Sequence, residues 1–252
     1  MRPIELVEIL GAFIAIFATV LAILTEVKVK KVLRKAQDIA NSLSTRYVGY
    51  FPDNMEEVIK LIAATKRQLI IICDVPAYGH FSNPYGFAEY DQAIRKLLIP
   101  SAKPKITLIT YSKDRRFCNS KNQFSKSYDD IINSPALKNY LDYHKNNKNV
   151  KLPSENTSEA FYKWLGETHT NYLADLARIG VNVYESSTDL RSFGWISDDA
   201  AIFSFYNYGN DLREVSFKTN DLPFINILKE ISENSKSNSV EYVLKPDLSF
   251  SS

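Results

Sequence analysis

The chain has 252 residues, 45% of them hydrophobic, with 31 basic against 29 acidic side chains and a formal net charge of +2. Such a length holds one large domain or two small ones, and the apolar share is enough for a core. The near-balanced charge excludes a global field for nucleic acid, and two lone cysteines, Cys73 and Cys118, exclude a disulfide framework.

Residues 9–24 read ILGAFIAIFATVLAIL without a charge. With IELVE in front, the run reaches the roughly 20 residues a helix needs to cross about 30 Å of hydrocarbon. The chain starts MRPIELVE and runs on into TEVKVKKVLRK. A cleaved signal peptide has instead a basic start and a small-residue cleavage site. A retained anchor is therefore expected over 1–26, meeting the membrane through residues 3–25. Lys28, Lys30, Lys31, Arg34 and Lys35 follow it. Their charge puts the rest of this single-pass chain in the cytoplasm and sets Lys28–Lys35 against anionic headgroups. VKVKKVLRKAQDIANSLS predicts a basic juxtamembrane helix or stalk over 27–44.

The rhythm then changes. RYVGYF reads as a strand, Pro52-Asp53-Asn54 as a turn and helix start, and MEEVIKLIAATK as a helix with Met55, Val58, Ile59 and Ile62 on one face. QLIIICD is a continuous apolar run, which suits a central strand covered on both sides. Its buried Cys73 is expected to be inert. A loop, VPAYGHFSNPYG, leads to a helix at FAEYDQAIRKLL and a strand at KITLITY. Residues 112–156 are polar and irregular, with short helices at DDIINS and LKNYLDYHK. EAFYKWLGETHTNYLADLARIG predicts a long helix ended by Gly180. VNVYES, FGWISD, AAIFSFYN and REVSFKT predict four strands, DLPFINILKEIS a closing helix, and 237–252 a loose tail. The alternation defines an α/β domain over 45–236, with a mixed central sheet flanked by helices and its last strands antiparallel.

The loop after QLIIIC leaves the C-terminal end of a central strand, where open α/β sheets bind ligands. It carries Asp74, Tyr78, His80 and Ser82, which are candidate ligand contacts; the same residues also suit a structured turn. His169, in a helix, is expected to be structural, and His144 to be solvated. No HxxxH, HExxH, GxGxxG, Walker A or GxSxG sequence occurs, so neither a metal nor a cofactor is expected. The acids of LRSFGWISDDAAIFSFYNYG also suit a plain hairpin turn at Asp198-Asp199.

WISDDAAIFSF, followed by REVSFKTND and an amphipathic helix, resembles the C-terminal part of a phospholipase D-type half. YVGYF, the helix after it and QLIIICD are similar to the elements that open one. That family's motif is HxKxxxxD, then an apolar strand, a small turn and a downstream acid. The resemblance sets Asp198 on the motif aspartate, Ser204 near the turn serine and Glu214 on the downstream acid. It sets Arg191 where the histidine belongs and Phe193 where the lysine belongs. It thus implies a phospholipase D-like fold with a degenerate site at Arg191, Asp198 and Glu214, with Ser204 as a ligand contact; the loop after QLIIIC adds Asp74, Tyr78 and Ser82 as ligand contacts and His80 as the candidate replacement for the lost nucleophile. Arginine stays protonated and has no lone pair for covalent catalysis, yet it clamps a phosphate bidentately. Three functions are compatible with this pattern. One is a membrane-anchored module binding a phosphate-bearing ligand. Another is a phosphodiesterase, nuclease or lipase with a site rearranged around His80. The third is a membrane-tethered scaffold or effector in bacterial stress or defence. Single halves of this family tend to pair, which implies a homodimer.

Overall fold

Leu69 to Cys73 are five consecutive buried side chains in β2 (Gln68–Cys73). A strand can bury such a run only when both faces of its sheet are covered. This computed structural model describes residues 31, 44–50, 53–99, 103–123, 127–145, 152–190, 193–206 and 214–243. It divides into two compact units, Met1–Arg46 and Tyr47–Ser252. The predicted span at 3–25 lies outside the described residues, as does nearly all of the predicted stalk. Among the described residues, no helix is long and apolar enough to cross a membrane.

The other strands are β1 (Thr45–Tyr50), β3 (Lys105–Tyr111), β4 (Asn182–Ser186), β5 (Phe193–Ile196), β6 (Ala201–Tyr206), β7 (Glu214–Thr219) and β8 (Ser239–Glu241). They form one sheet in the order β1-β7-β6-β5-β2-β3-β4-β8. β2, β3 and β4 run parallel. β5 is antiparallel to β2, β6 to β5 and β7 to β6. The result is a mixed α/β fold.

Helices α1 (Met55–Ala64), α2 (Pro84–Leu97) and α6 (Ser158–Arg178) share one core with alternate sheet residues, among them Leu69, Ile71, Trp195 and Ile202. The opposite residues, Ile70, Ile72, Ile109 and Phe203, pack against Ile225 and Leu228 of α7 (Leu222–Ser237). Each such side chain gains about 1.5–3 kcal/mol on leaving water. Between β3 and α6 the chain forms α3 (Lys113–Gln123), α4 (Tyr128–Ile132) and α5 (Pro135–His144). Ile131, Leu137 and Tyr140 make a third cluster there with Phe161, Tyr162 and Leu165 of α6.

Two elements depart from the sequence expectation. KDRRFCNSKNQ has no apolar stripe, yet it forms α3, whose Arg116 is buried and bonded to the residues around it. Residues 239–241 of the expected loose tail pair with β4 as the short edge strand β8. Gly180 has φ +105°, the left-handed backbone that ends α6 just past its C-cap Ile179.

Candidate functional site

The strand register decides which predicted residues meet. Ile72 pairs with Gly194 and Phe193 with Ser204, while Tyr206 pairs with Glu214. The end of β2 leading to Asp74, the start of β5, the end of β6 and the start of β7 therefore share one end of the sheet. The parallel strands β3 and β4 finish there too, at Tyr111 and Ser186. Arg191 lies outside the described residues, and Glu214 is described by its backbone alone.

Asp198 sits at the opposite end. Its Oδ2 accepts the backbone N–H groups of Lys66 (3.0 Å) and Arg67 (2.9 Å), which lead into β2. Lys229 Nζ donates to its carbonyl at 3.3 Å. Burial raises the pKa of this carboxyl, but the N–H groups of Arg67 and Lys66 outweigh it and hold the group below its ordinary value. In this position Asp198 closes the β5–β6 hairpin and ties it to the exposed backbone that leads into β2.

Tyr78 and Ser204 do come together, inside a buried network. Asn54, which precedes α1, donates through Nδ2 to Ser216 Oγ (2.6 Å) and to the Tyr78 hydroxyl (3.2 Å). Ser204 and Ser216 share a 2.8 Å hydrogen bond. The Tyr78 ring stands edge-on to Trp195 at 4.6 Å, and Trp195 Nε1 donates to the Tyr90 hydroxyl at 3.2 Å. This network ties the loop after β2 to β6 and β7. Asp74 is half-buried, with its Oδ1 accepting from Val75 N at 2.7 Å, and Thr110 Oγ1 donates to its carbonyl at 3.2 Å. Ser82 is exposed, one residue before Asn83, which caps α2 by accepting from Gly86 N.

His80 is enclosed by rings. Phe87 lies 4.9 Å away, Tyr140 5.3 Å and His144 6.2 Å between centroids. Its Nε2 is buried without a hydrogen-bond partner among the described residues. Burial, aided by His144, pushes the imidazole down to about 4. His144 is not solvated as expected. It is half-buried against Tyr140 (4.5 Å) and Tyr143 (4.7 Å), and burial lowers its pKa. His169 is buried, and burial, with smaller contributions from His80 and Arg116, pushes it down to about 3. His80 thus lies between His144 of α5 and His169 of α6 in its electrostatic contacts. Among the described residues no group of three or more His, Cys, Asp or Glu side chains is placed to hold a metal ion.

Two arginines at the head of α3 escaped the sequence reading. Arg116 donates through Nη1 to Glu185 Oε1 (2.8 Å) and to the Tyr111 carbonyl, and through Nη2 to Thr170 Oγ1 (3.4 Å). It therefore ties β3, β4 and α6 together. Arg115 donates to the Ser187 carbonyl (2.7 Å) and to Asp189, and lies 4.9 Å over the Tyr111 ring. Tyr111 in turn accepts Leu190 N through its hydroxyl at 3.3 Å. The signal was present in the sequence: two adjacent arginines begin four residues after a parallel strand, at the sheet end where ligands bind. An open groove of about 640 Å³ between α1 and α2, lined by Ile59, Ala63, Lys66, Glu89, Lys96 and Pro104, lies toward the other end.

No protein-family model and no curated protein matches the chain. Among solved structures it is similar to the archaeal chromatin protein TrmBL2, whose structure is described as showing a novel mode of DNA binding. That match has 12% identity and a TM-score of 0.45, over 96% of this chain and 72% of that one. It is also similar to Nuc from Salmonella typhimurium, a phospholipase D family member, at 9% identity and a TM-score of 0.42, over 79% of this chain and 97% of that one. NucT from Helicobacter pylori matches at 12% identity and a TM-score of 0.37, over 79% and 98% of the respective chains.

Proposed function

We propose that this chain is a phospholipase D-like domain on a membrane anchor. It binds a phosphate-bearing ligand at the Asp74 end of its sheet and does not carry out the family's covalent phosphoryl transfer. Phe193 is the observation that carries this conclusion. The residue standing where the resemblance puts a lysine is half-buried, with its ring 6.4 Å from Tyr111 and packed against the core under α7. A phenyl ring there supplies neither charge nor hydrogen bond to a phosphate oxygen. Arg191, on the histidine position, clamps phosphate as a permanently charged fork. Asp74, Tyr78, Ser82 and Ser204 shape the surroundings, Glu214 is the downstream acid, and Asp198 holds the hairpin. The anchor at 3–25 fixes the domain to the cytoplasmic face, Lys28–Lys35 rest on anionic headgroups, and two copies pair. Full-length protein in detergent, titrated with nucleotides, oligonucleotides and anionic vesicles, is expected to bind at least one class, and Arg191→Gln to abolish that binding. Silence toward all three removes the ligand.

His80 favours a second reading, an active phosphodiesterase with a rearranged site. Its Nε2 has no partner among the described residues and its imidazole is neutral at pH 7, as a nucleophile requires. Diester cleavage that disappears in a folded His80→Ala variant establishes this reading. A wild-type chain inert toward diesters ends it.

A further inference from the structure

Arg115 has a different kind of partnership from its neighbour. Arg116 is buried to 1% exposure and pairs with Glu185, itself 23% exposed. Arg115 keeps 29% of its side chain exposed, and its acidic partner Asp189 is 84% exposed. Arg115 Nε is buried without a hydrogen-bond partner among the described residues. The guanidinium is therefore only partly satisfied by protein groups, and its acidic partner stands in solvent.

The loop it reaches does not depend on Asp189. Ser186 Oγ donates to the Thr188 carbonyl (3.0 Å) and accepts Thr188 N (3.2 Å). The Ser187 carbonyl is held by Arg115 itself, and Leu190 N by the Tyr111 hydroxyl. The carboxylate of Asp189 thus adds charge to a loop whose backbone is already fixed. Arg115 is fixed as well, by the Ser187 carbonyl and by the face of Tyr111. A cation locked in place beside a replaceable anion, at the C-terminal end of parallel strands, suits an incoming anion.

We propose that Arg115 is a second phosphate-binding cation of this site, and that Asp189 occupies it until a phosphate group takes its place. The proposal rests on the phosphate-binding reading above and deepens it. Arg115 supplies the charge that Phe193 does not, from the end of β3 rather than from β5. Residues 187–190, which it grips, lead directly into Arg191 in the chain. The ligand chemistry is a phosphate monoester or diester, free or on a lipid. No bond is made or broken; one oxyanion replaces another on the same donors.

The test is a double-mutant cycle on full-length protein in detergent. Inorganic phosphate is the probe in one arm and a soluble short-chain phosphatidic acid in the other, and a preference between arms tells a free from a lipid-borne phosphate. Arg115→Gln is expected to weaken binding about tenfold or more, as loss of a charged hydrogen bond does. Asp189→Asn is expected to tighten it about two- to fivefold, the strength of an exposed ion pair. In the Arg115→Gln background the gain from Asp189→Asn vanishes. Because Asp189 is exposed, its variant folds, and Arg115→Lys keeps the charge should the glutamine variant unfold. Tightening that persists without Arg115, or no response to Asp189→Asn, overturns the proposal. Binding that Arg191→Gln abolishes while both Arg115 and Asp189 variants leave it unchanged overturns this inference alone. A chain that binds neither probe, with or without Asp189, overturns the phosphate reading with it.

Discussion

Arg116 shows how a single charged side chain organises the candidate site. Its guanidinium joins the end of β3, Glu185 of β4 and Thr170 of α6. Removing one member of such a pair leaves the other stranded, so Arg116→Met is expected to cost about 2–4 kcal/mol. A shift of the urea midpoint measures it, and an unchanged midpoint contradicts the role. Gly194 makes the same point through size. A Cβ at that position would stand 2.3 Å from the Ile202 carbonyl oxygen, in the neighbouring strand's backbone. Gly194→Ala is expected to lower stability by about 1–3 kcal/mol through forced backbone displacement, read as a fall in melting temperature. In the sequence, Gly194 is one letter in FGWISD, and nothing in strand periodicity marks it as the point of closest approach. The carboxylate of Asp198 was legible as a turn acid. Its bonds to Lys66 and Arg67, more than 130 residues away in the chain, were not.

At the scale of elements, α5 packs against His80, and among the described residues no carboxylate contributes to lowering or raising the imidazoles of His80 and His169. His80 faces Phe87, Tyr140 and His144, and the charged or titratable neighbours that lower His169 are His80 and Arg116. Both imidazoles have folded-state values, about 4 and about 3, below the 6.5 of the unfolded chain. The unfolded chain therefore binds more protons between these values. Stability is complete above pH 6.5 and falls as the pH drops through that window. Thermal melts at pH 7 and pH 5 are expected to show the loss, and His80→Phe to reduce it. A pH-independent melting temperature over that range contradicts the packing. Strands and long helices were legible in the sequence because their apolar periodicity is strong, as in QLIIIC and in the helix ending at Gly180. α3 was not, because its sequence carries no apolar stripe and Arg116 is held by partners on β3, β4 and α6. β8 was hidden for a related reason: three residues at a sheet edge gain their order from β4, not from their own composition.

For the whole molecule, the mixed sheet brings the β2 end before Asp74, Phe193, Ser204 and the start of β7 to one end, where β3 delivers Arg115 and Arg116. Arg115 and Arg116 bring positive charge to that end, and the resemblance to a phospholipase D-type half does not single them out. Membrane attachment is a separate proposal, drawn from the sequence of residues 3–25. Deleting residues 1–26 is expected to move the protein to the soluble fraction while phosphate binding persists, as sedimentation and titration of the two fractions will read. The central claim is that the chain binds phosphate groups without forming a covalent bond to them. It is tested most directly by incubating full-length protein with a chromogenic phosphodiester, quenching in base, and examining the intact protein by mass spectrometry. The account predicts an unmodified chain and no released chromophore under conditions where inorganic phosphate binds. A phosphorylated histidine, or steady release of chromophore, contradicts it.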